Sequence, residues 1–410
     1  MGTKLGSLFS GIGGFEIIAQ MYGIEPVWAS EIDKNCVNIT KRHFPHMQHL
    51  GDITQIDGSN IEPVDVITFG SPCQDLSVAG SQKGLSGERS GLFMEAIRII
   101  KEMRISTDGR YPTFAVWENV RGAFSSNRGE DFRIVVEKFC RIKDETVSIP
   151  RPTKEKWTAS GLIMGDSFSF AWRVLDAQYW GAPQRRRRIF SVADFRGSRS
   201  AEILFKPESL RRNLTPSRAP WKRFAGTSED GAGSTGNKCK NPDDTQSGIL
   251  CVATQQANAE IFTDLCPTIT EAAGTSGNNQ PYICVFHGNA GERAGISYVA
   301  STQDCRNYKE IENVSGTLQT KDKPGYSLNY QNPVRVDSAV RRLTPVECER
   351  LQGYPDGWTE YGADGKQISD SARYRALGNS VALPCVDYVI SGIKDALDNS
   401  EKEQNDRHYF

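Results

Sequence analysis

The chain has 410 residues, of which 38% are hydrophobic, and its 49 basic and 50 acidic residues give a formal net charge of −1. That length allows a large core and predicts two domains. The charge balance excludes an overall basic field, so a nucleic-acid partner would have to be met by local basic patches. The N-terminus has no signal-peptide apolar core and no apolar run approaches a membrane span, so we expect no membrane partner.

The cysteine spacing excludes two common kinds of site. Ten cysteines are present and no two are closer than Cys239 and Cys251, which leaves no C-x-x-C zinc pair or redox motif. Without an export signal, this pattern favours reduced cytoplasmic thiols. Three histidines between residues 43 and 49 lie near Cys36, but Pro45 interrupts the helix that would align them, so we predict a solvated helix end and no metal.

The first elements predict a cofactor loop. A strand over Lys4 to Phe9 is followed by a glycine loop, Ser10 to Gly14, and by an amphipathic helix that ends at Gly23. Strand, glycine loop and helix together place backbone N–H groups against a ligand. Glu16 stands where a dinucleotide fingerprint needs glycine, so the loop is equally suited to another adenosine-bearing cofactor.

Two acidic residues extend this predicted cofactor site. The second strand, Val27 to Ser30, ends at Glu31, about 20 residues beyond the loop, where a carboxylate can take ribose hydroxyls. A helix then runs to about Phe44. Asp52 follows in a short turn, where it could accept a hydrogen bond from an adenine amino group.

A presented thiol follows the next strand. The apolar run from Val64 to Phe69 predicts a strand buried on both faces, and it stops at a Gly-Ser-Pro turn before Cys73. The loop at the carboxyl end of a parallel strand is where open α/β sheets bind ligands, and Pro72 stiffens it. A lone cysteine is more often a small buried hydrophobe, but this placement favours a functional thiol. Glycines between 80 and 91 predict a lid, and Leu92 to Met103 predicts a helix.

A carboxylate follows another buried strand. The strand Thr113 to Trp117 leads into Glu118, and a carboxylate there is costly unless it has a partner or a proton. Because this strand is predicted to lie parallel to the one before Cys73, Glu118 is a functional candidate. Gly129 to Ile142 predicts a helix, and residues 143–165 are predicted to be an irregular insertion.

Four consecutive arginines separate the next two predicted strands. The strand Phe168 to Leu175 precedes them, and the strand Arg188 to Ala193 begins at the last of the four. Such a run is normally a solvated patch, but an apolar strand follows at once, and alternation then turns every second residue to the same side. Arg186 and Arg188 share that parity, so we expect them to act together on an anionic group.

The composition changes near Lys206. Residues 195–335 predict a second, loop-rich and mainly β domain with short strands at Ile249 to Val252 and Tyr282 to Phe286. A basic-aromatic patch over residues 211–224 suits a phosphate backbone and an unstacked base.

The helical pattern returns after Asp337. Thr344, Pro345 and Glu347 predict a capping box. Residues 378–380 are predicted to cap a last helix that docks on the first domain, and the polar tail from Asn399 is predicted to be disordered.

These parts fit one type of reaction on cytosine. A thiolate that adds to C6 converts the ring into an enamine, which activates C5. A neutral glutamic acid beside N3 can donate a proton and relieve the developing charge. Arginines near the thiol and O2 would favour the thiolate and fix the ring.

The order of the motifs resembles the DNA (cytosine-5) methyltransferase family of bacteria and phages. The resemblance covers nearly the whole chain except the middle. It implies a Rossmann-like S-adenosylmethionine-dependent methyltransferase domain, in the α/β class, with a smaller, mainly β target-recognition domain. It implies cofactor binding by Phe9, Gly11, Ile12, Gly14, Glu31, Ile32, Asp52, Ile53, Pro72, Leu92, Asn379, Ser380 and Val381.

The resemblance also implies a mechanism. Cys73 adds to C6 of a cytosine flipped out of the duplex, Glu118, Arg186 and Arg188 assist, and the methyl group goes to C5. Its DNA contacts are implied at Gln74, Ser77, Thr317 and Leu318, with Thr268-Ile269 as a rival for the last pair. The implied catalytic domain is residues 1–194 and 336–398, with recognition over 195–335 and a tail over 399–410.

Three functions remain open from the sequence. The first is a DNA cytosine-5 methyltransferase that acts as a monomer on double-stranded DNA in the cytoplasm, with a cognate restriction endonuclease as a candidate functional partner. The second is a tRNA cytosine-5 methyltransferase, which the long region from 195 to 335 disfavours. The third is a DNA-binding protein without catalysis, which the intact Cys73 and Glu118 disfavour.

Overall fold

The computed structural model describes residues 2–72, 91–152, 156–182, 184–206 and 344–407, together with seven short strands between residues 249 and 342. The predicted lid over residues 80–90 and the basic-aromatic patch over residues 211–224 lie outside the described residues. For those seven strands and for residues 401–407, we describe the backbone alone.

An eight-stranded sheet forms the centre of the fold. Its first five strands along the chain are parallel and its last three are antiparallel, in the order β3-β2-β1-β4-β5-β8-β7-β6. The strands are β1 (Lys4–Leu8), β2 (Glu25–Ser30), β3 (Gln48–His49), β4 (Val66–Phe69), β5 (Phe114–Val120), β6 (Ser160–Met164), β7 (Ser169–Asp176) and β8 (Arg187–Asp194).

Helices cover both faces of this sheet. Side chains of β5 alternate between the two layers: Phe114 and Val116 join the core under the helices near the chain ends, while Ala115 and Trp117 join the core under α3 and α4. This is the predicted α/β fold. The helices are α1 (Gly14–Met21), α2 (Lys34–His43), α3 (Gly91–Ser106), α4 (Glu130–Cys140), α5 (Ser200–Leu204), α6 (Pro345–Gln352), α7 (Asp370–Asn379) and α8 (Leu383–Arg407).

The region between residues 249 and 342 forms two further antiparallel sheets. Their strand orders are β10-β9-β11-β15 and β13-β12-β14, and the strands at 249 and 282 confirm the two predicted there. The strands are β9 (Ile249–Ala253), β10 (Glu260–Thr263), β11 (Tyr282–Phe286), β12 (Ser301–Asp304), β13 (Lys309–Glu312), β14 (Val334–Arg335) and β15 (Ser338–Arg342).

Contacts continue past both predicted domain boundaries. Phe195 is buried in the core of the large sheet, and α5 packs against β7 and α8. At the other end, β15 pairs with β11. The boundaries at 194 and 335 stay a prediction.

The predicted irregular insertion over residues 143–165 contains regular structure. Residues 160–164 form β6, an outer strand of the large sheet that pairs with β7. Its burial alternates between exposed and half-buried side chains, with Leu162 and Met164 on the exposed parity. A strand with so few buried apolar residues gives a weak period-two signal, and the prediction of an irregular segment was therefore wrong here.

The C-terminal end also departs from the prediction. The capping box of Thr344 and Glu347 is present. Residues 378 and 379, however, end α7 rather than cap the last helix, which begins at Leu383 and continues to Arg407. The prediction of disorder from Asn399 was wrong as far as residue 407, because the helix continues to that point. Arg199 donates to the Ala396 carbonyl oxygen and to the Ser400 hydroxyl near the beginning of this stretch.

Within the described ranges no single helix is long and apolar enough to cross a membrane. One bent pair, Asp370–Asn379 with Leu383–Ser400, passes that test of length and composition together. The pair contributes Leu377, Val386 and Ile390 to the core of the large unit.

Candidate active site

The glycine loop after β1 turns through left-handed backbone conformations. Phe9, Gly11 and Gly13 have φ values of 55°, 55° and 85°. Glycine adopts this region at little cost, whereas Phe9 needs support from its surroundings. The N–H of Gly11 donates to Oε2 of Glu31 at 2.9 Å, which ties the loop to the end of β2.

The Glu31 carboxylate organises the backbone of this region. Its Oε1 accepts hydrogen bonds from the N–H groups of Ile32 and Asp33 at 2.8 and 2.9 Å. Sequence reasoning assigned Glu31 to ribose hydroxyls and missed these hydrogen bonds to the backbone. The only sequence signal for them is a carboxylate at the turn between β2 and α2. Ile32 presents its side chain to solvent with 75% exposure.

The second predicted acid begins a turn. Asp52 is exposed, and its Oδ1 accepts a hydrogen bond from Thr54 N at 2.9 Å at the start of a short helical turn. Ile53, the next residue, is buried in the core. Asp52 can therefore reach a ligand, while Ile53 supports the turn from below.

The C-terminal segment packs directly on the glycine loop. Trp358 Nε1 donates to the Ile12 carbonyl oxygen at 2.8 Å. A Cβ added at Gly14 would lie 2.5 Å from both Tyr354 Oη and Val381 Cγ2, so only glycine allows this approach. The Tyr354 and Ser380 hydroxyls share a hydrogen bond. The sequence-predicted residues at both ends of the chain are thus brought together.

The loop has the features that an adenosine-bearing cofactor needs. A Cβ at Gly11 would meet no atom within 4 Å, so its backbone is open to a ligand. The Ser10 hydroxyl and both Glu16 carboxylate oxygens are buried, and the described residues give them no hydrogen-bond partner. Asn379 and Pro72 are exposed and Leu92 is half-buried, so they remain candidates for contact. The residues present therefore fit such a cofactor.

Glu118 lies inside a strand, not after one as predicted. Strand β5 continues to Val120, because Glu118 pairs with Phe190 of β8. Its Oε1 lies 3.2 Å from Nε of Arg188, and a Cβ at Gly70 would lie 3.2 Å from its Oε2. The carboxylate is therefore beside the turn that leads to residue 73.

The environment of Glu118 favours its protonated form. Burial raises the pKa of this carboxyl, and the charges of Arg188 and Arg186 partly oppose the rise. A carboxylic acid with a raised pKa, held beside an arginine, can donate a proton to a ring nitrogen and then stabilise itself as the anion.

Asn119 connects β5 to the turn before the predicted nucleophile. Its Nδ2 donates to the Ser71 carbonyl oxygen at 3.0 Å, and Trp117 Nε1 donates to the Ser71 hydroxyl at 3.1 Å. Strands β4 and β5 are parallel neighbours, which confirms the predicted placement of Glu118 beside the strand before Cys73. Sequence reasoning missed the anchoring role of Asn119.

Arg186, like Arg188, carries a charge that lowers the pKa of the Glu118 carboxyl. It precedes β8, is 2% exposed, and its Nη2 donates to the carbonyl oxygens of Gly378, at 2.9 Å, and Ser380. Burial lowers the pKa of its guanidinium. Arg188 pairs with Glu118, and Arg186 also joins β8 to the segment that packs on the glycine loop. The joint action of the two arginines on an anionic group stays a prediction.

Five predicted site residues lie outside the described part of the chain: Cys73, Gln74, Ser77, Thr317 and Leu318. The rival pair Thr268-Ile269 lies outside it too. Among the residues that are described, no group of histidine, cysteine and acidic side chains could hold a metal ion. His43 instead stacks on Trp358 with 3.6 Å between ring centroids.

The family model that matches the chain is the C-5 cytosine-specific DNA methylase, over residues 3–143 and 162–395. A protein of Escherichia phage P1 named DNA N-6-adenine-methyltransferase is 31% identical over 96% of this chain, which spans 61% of that protein. The type II methyltransferase M.HhaI of Haemophilus parahaemolyticus is 26% identical, with 97% of this chain and 95% of that protein covered.

Solved structures show the same fold. The Dnmt2 methyltransferase of S. pombe superposes with a TM-score of 0.52 and 17% identity, covering 96% of this chain and 99% of that one. At this identity the likeness concerns the fold alone. It supports the assignment of the large sheet and its helices to a Rossmann-like methyltransferase unit.

Proposed function

The chain belongs to the C-5 cytosine-specific DNA methylase family, and from this premise we propose which of its residues perform each part of the reaction. It is a DNA cytosine-5 methyltransferase that uses S-adenosylmethionine. The contact of Glu118 with Arg188 beside Gly70 carries the proposal, because it places a proton donor next to the chain that leads to Cys73.

We assign the nucleophile to Cys73. Its thiolate forms a bond to C6 of the flipped cytosine, the C5–C6 π pair forms a C4–C5 double bond, and the C4–N3 π pair takes a proton from Glu118 at N3, which leaves C5 as the nucleophilic carbon of an enamine. The bound methyl donor supplies an electrophilic methyl group. Once C5 carries it, a solvent base removes the C5 proton, the Cys73 thiolate leaves C6, and N3 returns its proton to the Glu118 carboxylate, which restores the aromatic ring. Arg188 keeps Glu118 in place and stabilises its anion, since it lies 3.2 Å away.

Arg186 is assigned a supporting part in the same site. Its contacts with the Gly378 and Ser380 carbonyl oxygens hold the final segment against the strand that carries Arg188. Cofactor contacts are assigned to the glycine loop, Ile32, Asp52 and the 379–381 segment. Gln74, Ser77, Thr317 and Leu318 remain the proposed DNA contacts.

We also propose the partners, the oligomeric state and the DNA-recognition region, which the family match by itself does not give. We propose that the substrate is a specific duplex sequence, that the protein acts as a monomer in the cytoplasm, and that residues between about 207 and 342 recognise DNA. Relatives named type II methyltransferases favour a cognate restriction endonuclease as a functional partner. A relative named an orphan methyltransferase favours solitary action.

The phage P1 relative raises a second candidate reaction, methylation of adenine N6. That protein is longer than the matched part, because this chain spans 61% of it. The adenine amino group is itself the nucleophile and needs no thiol addition. A carboxylic acid beside the Cys73 turn, paired with Arg188, is instead what addition to cytosine requires.

One experiment tests both the base and the mechanism. The protein is incubated with donor carrying a labelled methyl group and unmethylated phage lambda DNA, and the digested nucleosides are separated. We expect label in 5-methylcytosine, and a Cys73→Ala variant should lose it by at least a thousandfold while still binding duplex DNA. Label in N6-methyladenine, or full turnover by the variant, would overturn the assignment. A parallel incubation supplies tRNA in place of the DNA, and label in tRNA alone would identify the other substrate class.

A further inference from the structure

Residues 144–161 lie between the two stretches that the family model matches, and they are fastened to α4. Arg133 Nη1 donates to the Ile149 carbonyl oxygen at 3.1 Å, and Ile149 N donates to Glu137 Oε2 at 3.1 Å. The Glu137 carboxylate also pairs with Arg133, so a local network holds the inserted segment. We call residues 144–161 the inserted segment.

The loop that joins β5 to α4 has an unusual backbone. It covers residues 121–129, which we call the β5–α4 loop, and its last three residues are all left-handed: φ is 47° at Asn127, 55° at Arg128 and 83° at Gly129. Left-handed backbone crowds the Cβ of a non-glycine residue, so two such residues in succession persist only where neighbouring structure supports them.

Trp157 of the inserted segment supplies that support. Its Nε1 donates to the Gly129 carbonyl oxygen at 2.8 Å. Its ring meets Phe132 and Trp172 edge-on, with centroid distances of 5.0 and 5.6 Å, which fixes its orientation. A Cβ at Gly129 would lie 3.2 Å from Trp157 Nε1, so the indole packs tightly over the left-handed turn.

The supported loop carries two exposed arginines and directly follows the strand that contains Glu118. Arg121 and Arg128 are exposed, while Phe124 between them is buried and anchors the loop. Arg121 follows Glu118 by three residues at the carboxyl end of β5. Among the described residues neither guanidinium forms an ion pair with a carboxylate. Two such cations at the rim of a site for a polyanion suit phosphate groups.

We propose that Trp157 is a positioning residue that holds the β5–α4 loop so that Arg121 and Arg128 contact phosphates of the duplex bound for reaction. This inference rests on the proposed function, since it takes DNA as the ligand of the Glu118 side of the sheet. The inserted segment thereby gives this chain a DNA-binding element that depends on a part of the sequence outside the family match.

The arginines are tested first, through the salt dependence of binding. The full-length protein is titrated onto a fluorescent duplex of mixed sequence at several salt concentrations. A double variant, Arg121→Gln with Arg128→Gln, should reduce the slope of log K against log salt by nearly two, about 0.9 for each phosphate contact. Because both side chains are exposed, this variant should fold as the parent does, and an unchanged slope would overturn the proposal.

A double-mutant cycle then tests Trp157. Trp157→Phe keeps a ring but removes the N–H donor, and we expect roughly tenfold weaker binding with a slope smaller by about one. In the background that lacks both arginines, the same substitution should have no further effect on binding. An equal loss in both backgrounds would show that the tryptophan acts through general stability and would refute the positioning role.

A matched control removes another indole donor far from the loop. Trp28 Nε1 donates to the Glu62 carbonyl oxygen at 2.9 Å, and Trp28→Phe should leave the salt slope as it is in the parent. Methylation of cytosine by the parent protein is measured in the same series. If the parent methylates cytosine and Trp157→Phe binds like it, the positioning role alone is wrong; if the parent does not, the proposed function is wrong.

Discussion

Glu16 is a buried carboxyl group under the glycine loop whose ionisation the fold opposes. It has no exposed surface, and the described structure provides neither oxygen with a hydrogen-bond partner. Burial raises its pKa from 4.5 to about 7. The unfolded chain therefore loses this proton first as the pH rises. The contribution of Glu16 to the free energy of unfolding is therefore most favourable below about pH 4.5. It falls by roughly 3 kcal/mol by pH 7.

Glu16→Gln should therefore stabilise the protein in a pH-dependent way. We expect the variant to gain about 1–3 kcal/mol at pH 8, where the parent carries a buried charge, and almost nothing at pH 5. The gain is smaller than the full free-energy cost of the buried carboxylate, because the glutamine amide that replaces it also lacks hydrogen-bond partners. Thermal unfolding at the two pH values measures it.

Glu349→Gln is the matched control. Glu349 is equally buried, but it accepts hydrogen bonds from Gly357 N and Thr359 N and pairs with Arg373 at 3.2 Å. Its replacement should destabilise the protein at both pH values. A Glu16→Gln variant with the same change in stability at pH 5 and pH 8 would contradict the assigned ionisation.

Single residues also show how far sequence reasoning reached into the site. Glu118 was predicted from one carboxylate beside an apolar run, and parallel pairing of β4 with β5 places it as expected. The environment of Arg186 was not predictable, because its carbonyl partners at Gly378 and Ser380 lie far along the chain. Alternation along a strand gives the side on which a residue lies, but not the backbone that approaches from another segment.

At the scale of elements, buried strands and amphipathic helices were predictable, while their ends were less so. Polar residues 118–119 mark the end of a strand in the sequence, yet the antiparallel partner β8 extends β5 through Val120. Tertiary pairing overrides local preference there. The last turns of α8 are polar and nevertheless helical, and Arg199 contacts the preceding turn at the Ala396 carbonyl oxygen.

Arg199 joins the end of β8 to α5 and α8. Its guanidinium contacts both oxygens of Asp194, at 2.7 and 3.0 Å, and Asp194 is fully buried. It also reaches the Ala396 carbonyl oxygen of α8. Removal of Arg199 therefore leaves a buried carboxylate without its cation.

We expect Arg199→Ala to lower the free energy of unfolding by about 3–5 kcal/mol. Denaturant unfolding monitored by tryptophan fluorescence measures it. Arg196→Ala, three residues earlier at an exposed position, should change stability by less than about 0.5 kcal/mol. Equal effects of the two substitutions would show that the Asp194 contact does not hold these elements together.

At the scale of the whole molecule, the two ends of the chain build one site. The Tyr22 hydroxyl donates to Asp387 at 2.9 Å, and Trp358 donates to the Ile12 carbonyl oxygen at 2.8 Å. The sequence predicted that the last helix docks on the first domain, but not that residues 354 and 381 close over the glycine loop. That closure depends on the absence of a side chain at Gly14.

Gly14→Ala should consequently separate the two ends of the chain at the site. The added methyl group would overlap Tyr354 Oη and Val381 Cγ2, each 2.5 Å away, and the backbone of the loop must move. We expect at least tenfold weaker binding of S-adenosylmethionine, measured by equilibrium dialysis, and a lower melting temperature. Removing the tyrosine hydroxyl in Gly14→Ala with Tyr354→Phe should restore part of the affinity, since one of the two obstructing atoms is gone.

Gly11→Ala is the control that separates backbone strain from steric collision. A Cβ at Gly11 meets no atom, but the φ of +55° is unfavourable for alanine, so the Tyr354→Phe change should restore no affinity to this variant. Equal recovery in both backgrounds would contradict closure by direct contact at Gly14.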